Sequence, residues 1–212
     1  MSKIVFLSAG HGGTDPGACA YALTEKDINL QTLLACKSEL ERHGVKVVAS
    51  RVTDEYDPVG QEVREANASG ADIAVSFHAN AGGGDGFEAY YWSDNKDGKR
   101  LASLGEKHVK ALGQNSRGLK TGNHLYFVKH TKITAVLFES FFLDNATDIN
   151  VGNTIEKQKL FGKAYARAIL EYLGIDYEDT LYRVQVGSFE NKTYAERLRD
   201  ELKSKGYDAF VV

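Results

Sequence analysis

Residues 10–17, Gly10-His11-Gly12-Gly13-Thr14-Asp15-Pro16-Gly17, determine how the rest of this sequence is interpreted. They follow Ile4-Val5-Phe6-Leu7, a β-branched and aromatic run that predicts a buried strand. In open α/β sheets, ligands bind in the crevice outside the carboxyl ends of the strands. A histidine among glycines at such a place is poorly suited to core packing. We therefore interpret His11 as part of a binding or catalytic site.

Three further side chains are expected at the same edge of the sheet. His78 and Glu139 come at the ends of two more apolar runs that predict strands, and Glu25 begins the first predicted helix. If these strands are parallel, all four groups converge. Two histidines and a carboxylate with an open fourth position are typical of a catalytic zinc site, and a second carboxylate remains as the base.

The position of Glu139 supports a functional role for its carboxylate. It interrupts the apolar run Ala135-Val136-Leu137-Phe138, where a charge is unfavourable unless it is paired or used. The remaining histidines are interpreted mainly as solvated side chains: His43, His108, His124 and His130. For the last two, which are predicted to flank a strand, a ligand role stays open.

The composition is that of an ordinary globular protein. The 212 residues are 42% hydrophobic and 26% charged, with a net charge of -3, which argues against nucleic acid as a partner. Cys19 and Cys36 are too few for a disulfide framework and are interpreted as reduced thiols. No apolar run approaches a membrane span, and the first residues do not resemble a signal peptide. We therefore expect synthesis in the cytoplasm without a signal peptide.

Strands alternate with helices along most of the chain, which predicts an α/β fold: a mixed, mainly parallel sheet with helices on both faces. Residues 117–120, Arg117-Gly118-Leu119-Lys120, are expected in a polar loop, and residues 10–23 in a glycine-rich loop. The predicted helices are Thr24–His43, 58–69, 97–112 and 153–173, and the predicted strands are 4–7, 45–51, 72–77, 86–92, 125–128 and 134–138.

The C-terminal residues predict a small βαβ appendage. A strand is expected over 182–189, a helix over 194–205 and a strand over 209–212. One βαβ unit of this length is below the size at which a domain is usually stable alone, about 40 residues. It is therefore docked on the main domain, paired with a second copy, or half of a larger unit. Because unpaired strand edges invite pairing, we expect a homodimer through residues 181–212.

Four motifs together resemble the zinc-dependent N-acetylmuramoyl-L-alanine amidases of type 3, which are cell-wall hydrolases. The tail, from Tyr182-Arg183-Val184-Gln185 onward, resembles the first half of a SPOR domain, a module that binds peptidoglycan glycan strands. The amidase motifs read Gly10 to Gly17, Glu25-Lys26-Asp27, Ser76-Phe77-His78-Ala79-Asn80 and Ala135-Val136-Leu137-Phe138-Glu139.

The resemblance implies a reaction and an assignment of the four groups. The expected reaction hydrolyses the amide between the lactyl group of N-acetylmuramic acid and the L-alanine of the stem peptide in peptidoglycan. His11, Glu25 and His78 would be the ligands of Zn²⁺, and Glu139 the catalytic carboxylate. The predicted domains are a catalytic domain at 1–174, a linker at 175–180 and a partial SPOR-like wall-binding segment at 181–212.

Other details are expectations of the same kind. Asn80 and Arg117 are predicted to contact substrate, although a solvated loop charge is the alternative for Arg117. Ser8 stands where many family members have Asp, so the partner of the ligand histidine is expected to differ. Phe141 stands where Gly is common, which predicts a narrower or more aromatic groove.

Two alternative functions stay open at this point. One is a zinc peptidase that cuts within the stem peptide, and the other is a wall-binding protein with an inactive site. Action on the cell wall after release fits both a phage endolysin and an enzyme that lyses a sporulating mother cell.

Overall fold

The computed structural model describes residues 3–179 and 184–212. Six strands form one sheet in the order β4-β1-β5-β8-β6-β7, and the two-residue strands β2 and β3 form a separate antiparallel hairpin. The strands are β1 Ile4–Ala9, β2 Cys19–Ala20, β3 Leu23–Thr24, β4 Lys46–Ala49, β5 Ile73–Asn80, β6 Phe87–Tyr91, β7 Ser116–Thr121 and β8 Thr134–Phe142.

The sheet is mixed and mainly parallel, as predicted. The pairs β1–β4, β1–β5, β5–β8 and β6–β7 are parallel, and β6–β8 is antiparallel. The carboxyl ends of β1, β5 and β8 therefore meet at one edge. The helices are α1 Glu25–Arg42, α2 Val59–Ala68, α3 Lys96–Lys110, α4 Tyr126–His130, α5 Ile155–Leu173 and α6 Lys192–Ser204.

Helices cover both faces of the sheet, and strand alternation explains why. In β1, Val5 and Leu7 join the larger core with side chains of α1, α3 and α5, whereas Phe6 joins a smaller core with α2 and α4. The same alternation continues in β5, where Val75 lies in the larger core and Ala74 in the smaller one. The prediction of helices on both faces is confirmed.

Two predicted elements between residues 115 and 130 are wrong. Residues 117–120 are not a loop but part of the edge strand β7, where Gly118 has a positive φ of 88° at a shift in register against β6. Residues 125–128 are not a strand but form the N-cap and first turn of α4, so His124 precedes a short helix and His130 is its last residue. A short apolar run does not distinguish a strand from a buried helical turn.

Several boundaries also differ from the prediction. The strand β5 runs on past His78 to Asn80, and β8 runs on past Glu139 to Phe142, so both side chains lie inside strands rather than at their ends. The predicted loop at residues 10–23 contains the small β2–β3 hairpin. The first helix matches its prediction to within one residue at each end.

The chain divides into two compact units, Met1–Tyr177 and Glu178–Val212. Ile175 and Tyr177, from the predicted linker, pack against the core of the first unit. Within the described residues, neither unit contains a helix long and apolar enough to cross a membrane. The division into a catalytic domain, linker and wall-binding segment at the predicted bounds stays a prediction.

The second unit contains the predicted helix, as α6, but not the predicted strands. Residues 184–189 and 209–212 form no strand, and Tyr182 and Arg183, the start of the first predicted strand, lie outside the described residues. No side chain of α6 is buried. A strand needs a hydrogen-bonded neighbour, and these two short segments do not provide one for each other.

Candidate active site

Three of the predicted site residues come together at the carboxyl edge of the sheet. His11 follows β1, Glu25 begins α1 and His78 lies near the end of β5. Each offers one ligand atom, and these atoms all lie within 4.8 Å of one another. The two imidazole ring centroids are 5.3 Å apart, with an interplanar angle of 81°. The three side chains are thus arranged around a common point.

Glu25 lies between the two histidines and is only 6% exposed. His78 Nδ1 donates to its Oε1 at 2.9 Å, and His11 Nε2 is 3.2 Å from its Oε2. The backbone N–H of Ala18 donates to Oε2 at 2.9 Å. Burial alone would raise the pKa of Glu25, but the hydrogen bonds from His11 and His78 outweigh it and hold the pKa well below its ordinary value.

Hydrogen bonds to Glu25 favour the charged form of both histidines. The pKa of His11 is raised to about 9, chiefly by its hydrogen bond to Glu25. Burial opposes charge on His78, yet its hydrogen bond to Glu25 raises its pKa as well. His11 also donates from Nδ1 to Asp15 Oδ2 at 2.9 Å, which fixes the orientation of the ring. A metal would replace the protons that now link the imidazoles to Glu25.

Two positions of the N-terminal motif must be glycine because the backbone there lies very close to the side chains of His78 and Glu25. A Cβ on Gly10 would lie 2.1 Å from His78 Cε1, and a Cβ on Gly17 would lie 2.6 Å from Glu25 Oε2. His11 itself has a positive φ of 65°, a conformation unusual for a residue other than glycine. The backbone of residues 10–17 is therefore shaped around the His-Glu-His group.

Glu139 lies beside this group in the middle of the sheet. It is the register partner of His78 on β5 and of Glu88 on β6, so three ionisable side chains form a row across adjacent strands. Its Oε2 is buried without a hydrogen-bond partner among the described residues. Burial raises the pKa of Glu139 to about 7.

Glu88 binds Asn80 and Arg117, the two residues that are predicted to contact substrate. Asn80 Nδ2 donates to Glu88 Oε2 at 3.0 Å, and Arg117 Nε donates to Glu88 Oε1 at 2.6 Å. The guanidinium of Arg117 also lies 5.3 Å from the centroid of the Phe142 ring. Arg117 therefore lies on a strand, and its 44% exposed side chain is paired with Glu88, the register partner of Glu139; its contact with substrate stays a prediction.

Comparison with known proteins gives the family of this chain. Residues 5–171 match the family model described as N-acetylmuramoyl-L-alanine amidase. The chain belongs to the N-acetylmuramoyl-L-alanine amidase family. It is accordingly an amidase whose substrate is peptidoglycan.

Three relatives illustrate the relationship. The sporulation-specific N-acetylmuramoyl-L-alanine amidase of Bacillus subtilis is 32% identical, covering 98% of this chain and 84% of the relative. The endolysin of Bacillus phage SPP1 is 40% identical, covering 68% of this chain and 56% of the endolysin. The catalytic domain of the amidase CwlV from Bacillus (Paenibacillus) polymyxa var. colistinus superimposes with a TM-score of 0.76 at 31% identity, covering 82% of this chain and 99% of that domain.

The C-terminal part of the amidase also matches a known module. Residues 157–212 match the SPOR domain model. This match begins inside α5 and overlaps the amidase match, so it is longer than the predicted SPOR-like segment at 181–212.

The predicted effect of Phe141 on the groove of this amidase is wrong. Phe141 is fully buried and packs at a tilt against Phe161 of α5, with 5.7 Å between ring centroids. The register between β5 and β8 shifts after the His78–Glu139 pair, so that Asn80 is paired with Phe142. This irregularity in the strand turns Phe142, rather than Phe141, toward Arg117.

Sequence reasoning missed two supporting residues. Asp15 supplies the partner of His11 where Ser8 cannot, because Ser8 lies buried 3.5 Å from the Ser76 hydroxyl. The second of these residues is Glu88. The alternation in β6 could have identified it, since Phe87 and Ala89 face the core and Glu88 must point to the opposite face.

Proposed function

We propose that this amidase is zinc-dependent and cleaves the bond between N-acetylmuramic acid and L-alanine in peptidoglycan. His11, Glu25 and His78 would hold the ion, and Glu139 would act as general base and acid. The observation that carries the proposal is the convergence of three ligand atoms within 4.8 Å beside a buried carboxyl.

The residues around this point fit a zinc ion. Two imidazoles and one carboxylate are the ligand types of hydrolytic zinc sites, which keep a further position open. The Cβ-free backbone at Gly10 and Gly17 leaves the three side chains room to approach one another. Bound zinc would supply Lewis-acid activation of the scissile carbonyl and of the attacking water.

Glu139 would move the proton in this reaction. Its Oε2 has no hydrogen-bond partner in the part of the chain that the structure describes, and its pKa of about 7 suits a group that accepts and then releases a proton near neutral pH. In this proposal it takes a proton from the attacking water and gives it to the departing amine of L-alanine. Asn80 and Arg117, which share Glu88 beside Glu139, would contact the substrate.

The setting of the reaction is proposed from the relatives. Their names include an endolysin and a probable cell wall amidase, which supports action of this chain on the bacterial cell wall. The SPOR match at 157–212 supports a second contact with peptidoglycan through the C-terminal segment.

Metal analysis of a ligand variant tests the site. The purified chain should contain about one zinc ion, and His78→Ala should lose both zinc and wall digestion, because one ligand of three is removed. His108→Ala is the matched control, since His108 binds Glu171 and is not part of the His-Glu-His group. Stoichiometric zinc in His78→Ala would overturn the assignment.

Product analysis tests the bond that is cut. Digested wall should expose the amino group of L-alanine and leave muramic acid without peptide. New amino ends of any other residue would indicate a peptidase instead. Undigested wall in the presence of zinc-loaded protein would indicate an inactive wall-binding protein.

A further inference from the structure

Glu88 is a buried carboxylate that binds two cations. It is 2% exposed, and its Oε1 accepts hydrogen bonds from Arg117 Nε at 2.6 Å and from Lys120 Nζ. Its Oε2 accepts from Asn80 Nδ2 at 3.0 Å and from the Tyr90 hydroxyl at 2.6 Å. Four donors on one carboxylate use its full acceptor capacity. The group is therefore held rigidly and is itself closed to a ligand.

The charges in this cluster do not balance. Arg117 and Lys120 carry two positive charges and Glu88 one negative charge, and no other carboxylate in residues 3–179 forms an ion pair with either cation. The carboxylate is buried, whereas the side chains of Arg117 and Lys120 are 44% and 35% exposed. The excess positive charge therefore faces solvent, beside Glu139.

Both cations are positioned before any ligand binds. The Arg117 guanidinium lies 5.3 Å from the Phe142 ring centroid, and Lys120 Nζ lies 5.9 Å from the Tyr90 ring centroid. Glu88 accepts from Arg117 Nε, and within the described residues both terminal nitrogens of the guanidinium are left for a second partner. A planar fork of this kind matches a carboxylate in two parallel hydrogen bonds.

We propose that Arg117 and Lys120 bind a free carboxylate of the stem peptide, and that Glu88 is the positioning residue that aims them. This inference rests on the proposed function, because it places that carboxylate on the peptide side of the scissile amide next to Glu139. The residue after L-alanine in the stem peptide is the one that would present this carboxylate. A substrate in which the carboxylates of that residue are amidated would lose the contact. The enzyme is then selective for acidic over amidated stem peptides.

The test compares two synthetic substrates, N-acetylmuramoyl-L-alanyl-D-glutamate and its neutral diamide, with the full-length zinc-loaded chain. The wild type should prefer the diacid by about 10- to 100-fold in kcat/KM, mainly through KM. In Arg117→Ala the ratio of the two kcat/KM values should fall toward one, and Arg117→Lys should restore part of the preference. Lys110→Ala, which removes an exposed lysine at the end of α3, should keep the wild-type ratio.

Glu88→Gln tests the positioning role separately. It keeps the size of the side chain but removes the charge that holds both cations, so it should lower the preference for the diacid while zinc content stays unchanged. A second readout on intact wall uses L-alanyl-D-glutamate and its diamide as competing products, of which the diacid should inhibit the wild type more strongly.

Two results would overturn the inference. One is a wild type without preference between diacid and diamide in either assay. The other is an Arg117→Ala variant that loses activity equally on both. A failure of the proposed function looks different, because it would appear as amidase activity that survives removal of zinc, or as release of an amino end other than that of L-alanine.

Discussion

Glu139 has a carboxyl group that packing alone does not explain. Its Oε2 is buried and unpaired among the described residues, and its register partners are His78 and Glu88. A group of this kind destabilises the fold by about 1–3 kcal/mol. Sequence reasoning could find it for that reason: a carboxylate inside an apolar strand is unfavourable unless it is used. The alternation in β6 could likewise indicate Glu88, but its pairing with two cations could not be predicted, because both come from a strand that the sequence does not reveal.

Glu139→Gln should separate catalysis from metal binding. The amide keeps the shape of the side chain but cannot accept and release a proton, so turnover should fall by about 10²–10⁴-fold. Zinc content should stay unchanged, since Glu139 is outside the His-Glu-His group. Assays of wall digestion and metal content check this, with Glu156→Gln on an exposed face of α5 as the control. Near-normal turnover in Glu139→Gln would mean that another group moves the proton.

Asp57 should make stability depend on pH. Its side chain is 5% exposed and neither oxygen has a hydrogen-bond partner among the described residues. Burial, reinforced by Glu65 and Glu62, raises the pKa of Asp57 from 3.8 to about 7. The folded state therefore binds this proton more tightly than the unfolded state, and the free energy of unfolding falls as pH rises from about 4 to about 7.

Asp57→Asn removes the charge that the folded state excludes. It should stabilise the protein at pH 8 by about 1–3 kcal/mol and have little effect at pH 4. Urea unfolding at both pH values measures the difference, and Asp94→Asn, on an exposed turn, is the control. Equal effects of Asp57→Asn at the two pH values would contradict the assigned pKa.

At the scale of helices and strands, an element could be predicted from the sequence where the residues in and next to it determine its bounds. The helix α1 has Thr24 before it and Gly44 after it, with an apolar stripe between them, and its bounds follow from these residues. The strand β7 has only Leu119 as an apolar residue and owes its place to pairing with β6 and to the contacts of Arg117 and Lys120 with Glu88. Such long-range contacts leave no local periodicity in the sequence.

The side chain of Asn67 in α2 binds the backbone at the end of α4, in addition to the packing of the two helices in the smaller core. Asn67 Nδ2 donates to the His130 carbonyl at 3.1 Å, and its Oδ1 accepts from the Lys132 N–H at 2.7 Å. Asn67→Ala removes both hydrogen bonds at the end of α4 and should lower the free energy of unfolding by about 1–2 kcal/mol. Thermal unfolding should show a Tm lower by about 3–6 °C.

Activity measurements on Asn67→Ala show whether Asn67 only stabilises the end of α4 or also supports the active site. The amidase rate below the unfolding range should stay within about twofold of the wild type, because α4 adjoins the beginning of β8 rather than the end that carries Glu139. Gln61→Ala is the control on the same helix, since the Gln61 side chain binds Glu65 within α2. A large loss of activity in Asn67→Ala would show that α4 supports the site.

At the scale of the whole molecule, the predicted homodimer is still to be tested. The second unit exposes an unusual number of large apolar side chains for its size: Val184, Val186, Phe189, Tyr194, Tyr207, Phe210 and Val211. In a single chain, residues 184–189 and 209–212 form no strand. Apolar surface of this kind on a soluble monomer marks an interaction site.

A second copy could supply strand neighbours for these segments. Pairing through residues 181–212 would bury the exposed apolar side chains and let the predicted strands form as a shared sheet. Two catalytic units on one such junction would also bind a polymeric substrate with higher avidity than one.

Light scattering should therefore give the intact chain twice its mass of 23.3 kDa. A chain that ends at Tyr177, which keeps the packing of Ile175 and Tyr177, should be monomeric. Val186→Asp should shift the intact chain toward the monomer, whereas Lys192→Asp, a change at a polar position of α6, should not. A monomer mass for the intact chain at concentrations up to about 100 μM, a range typical of weak self-association, would rule the dimer out.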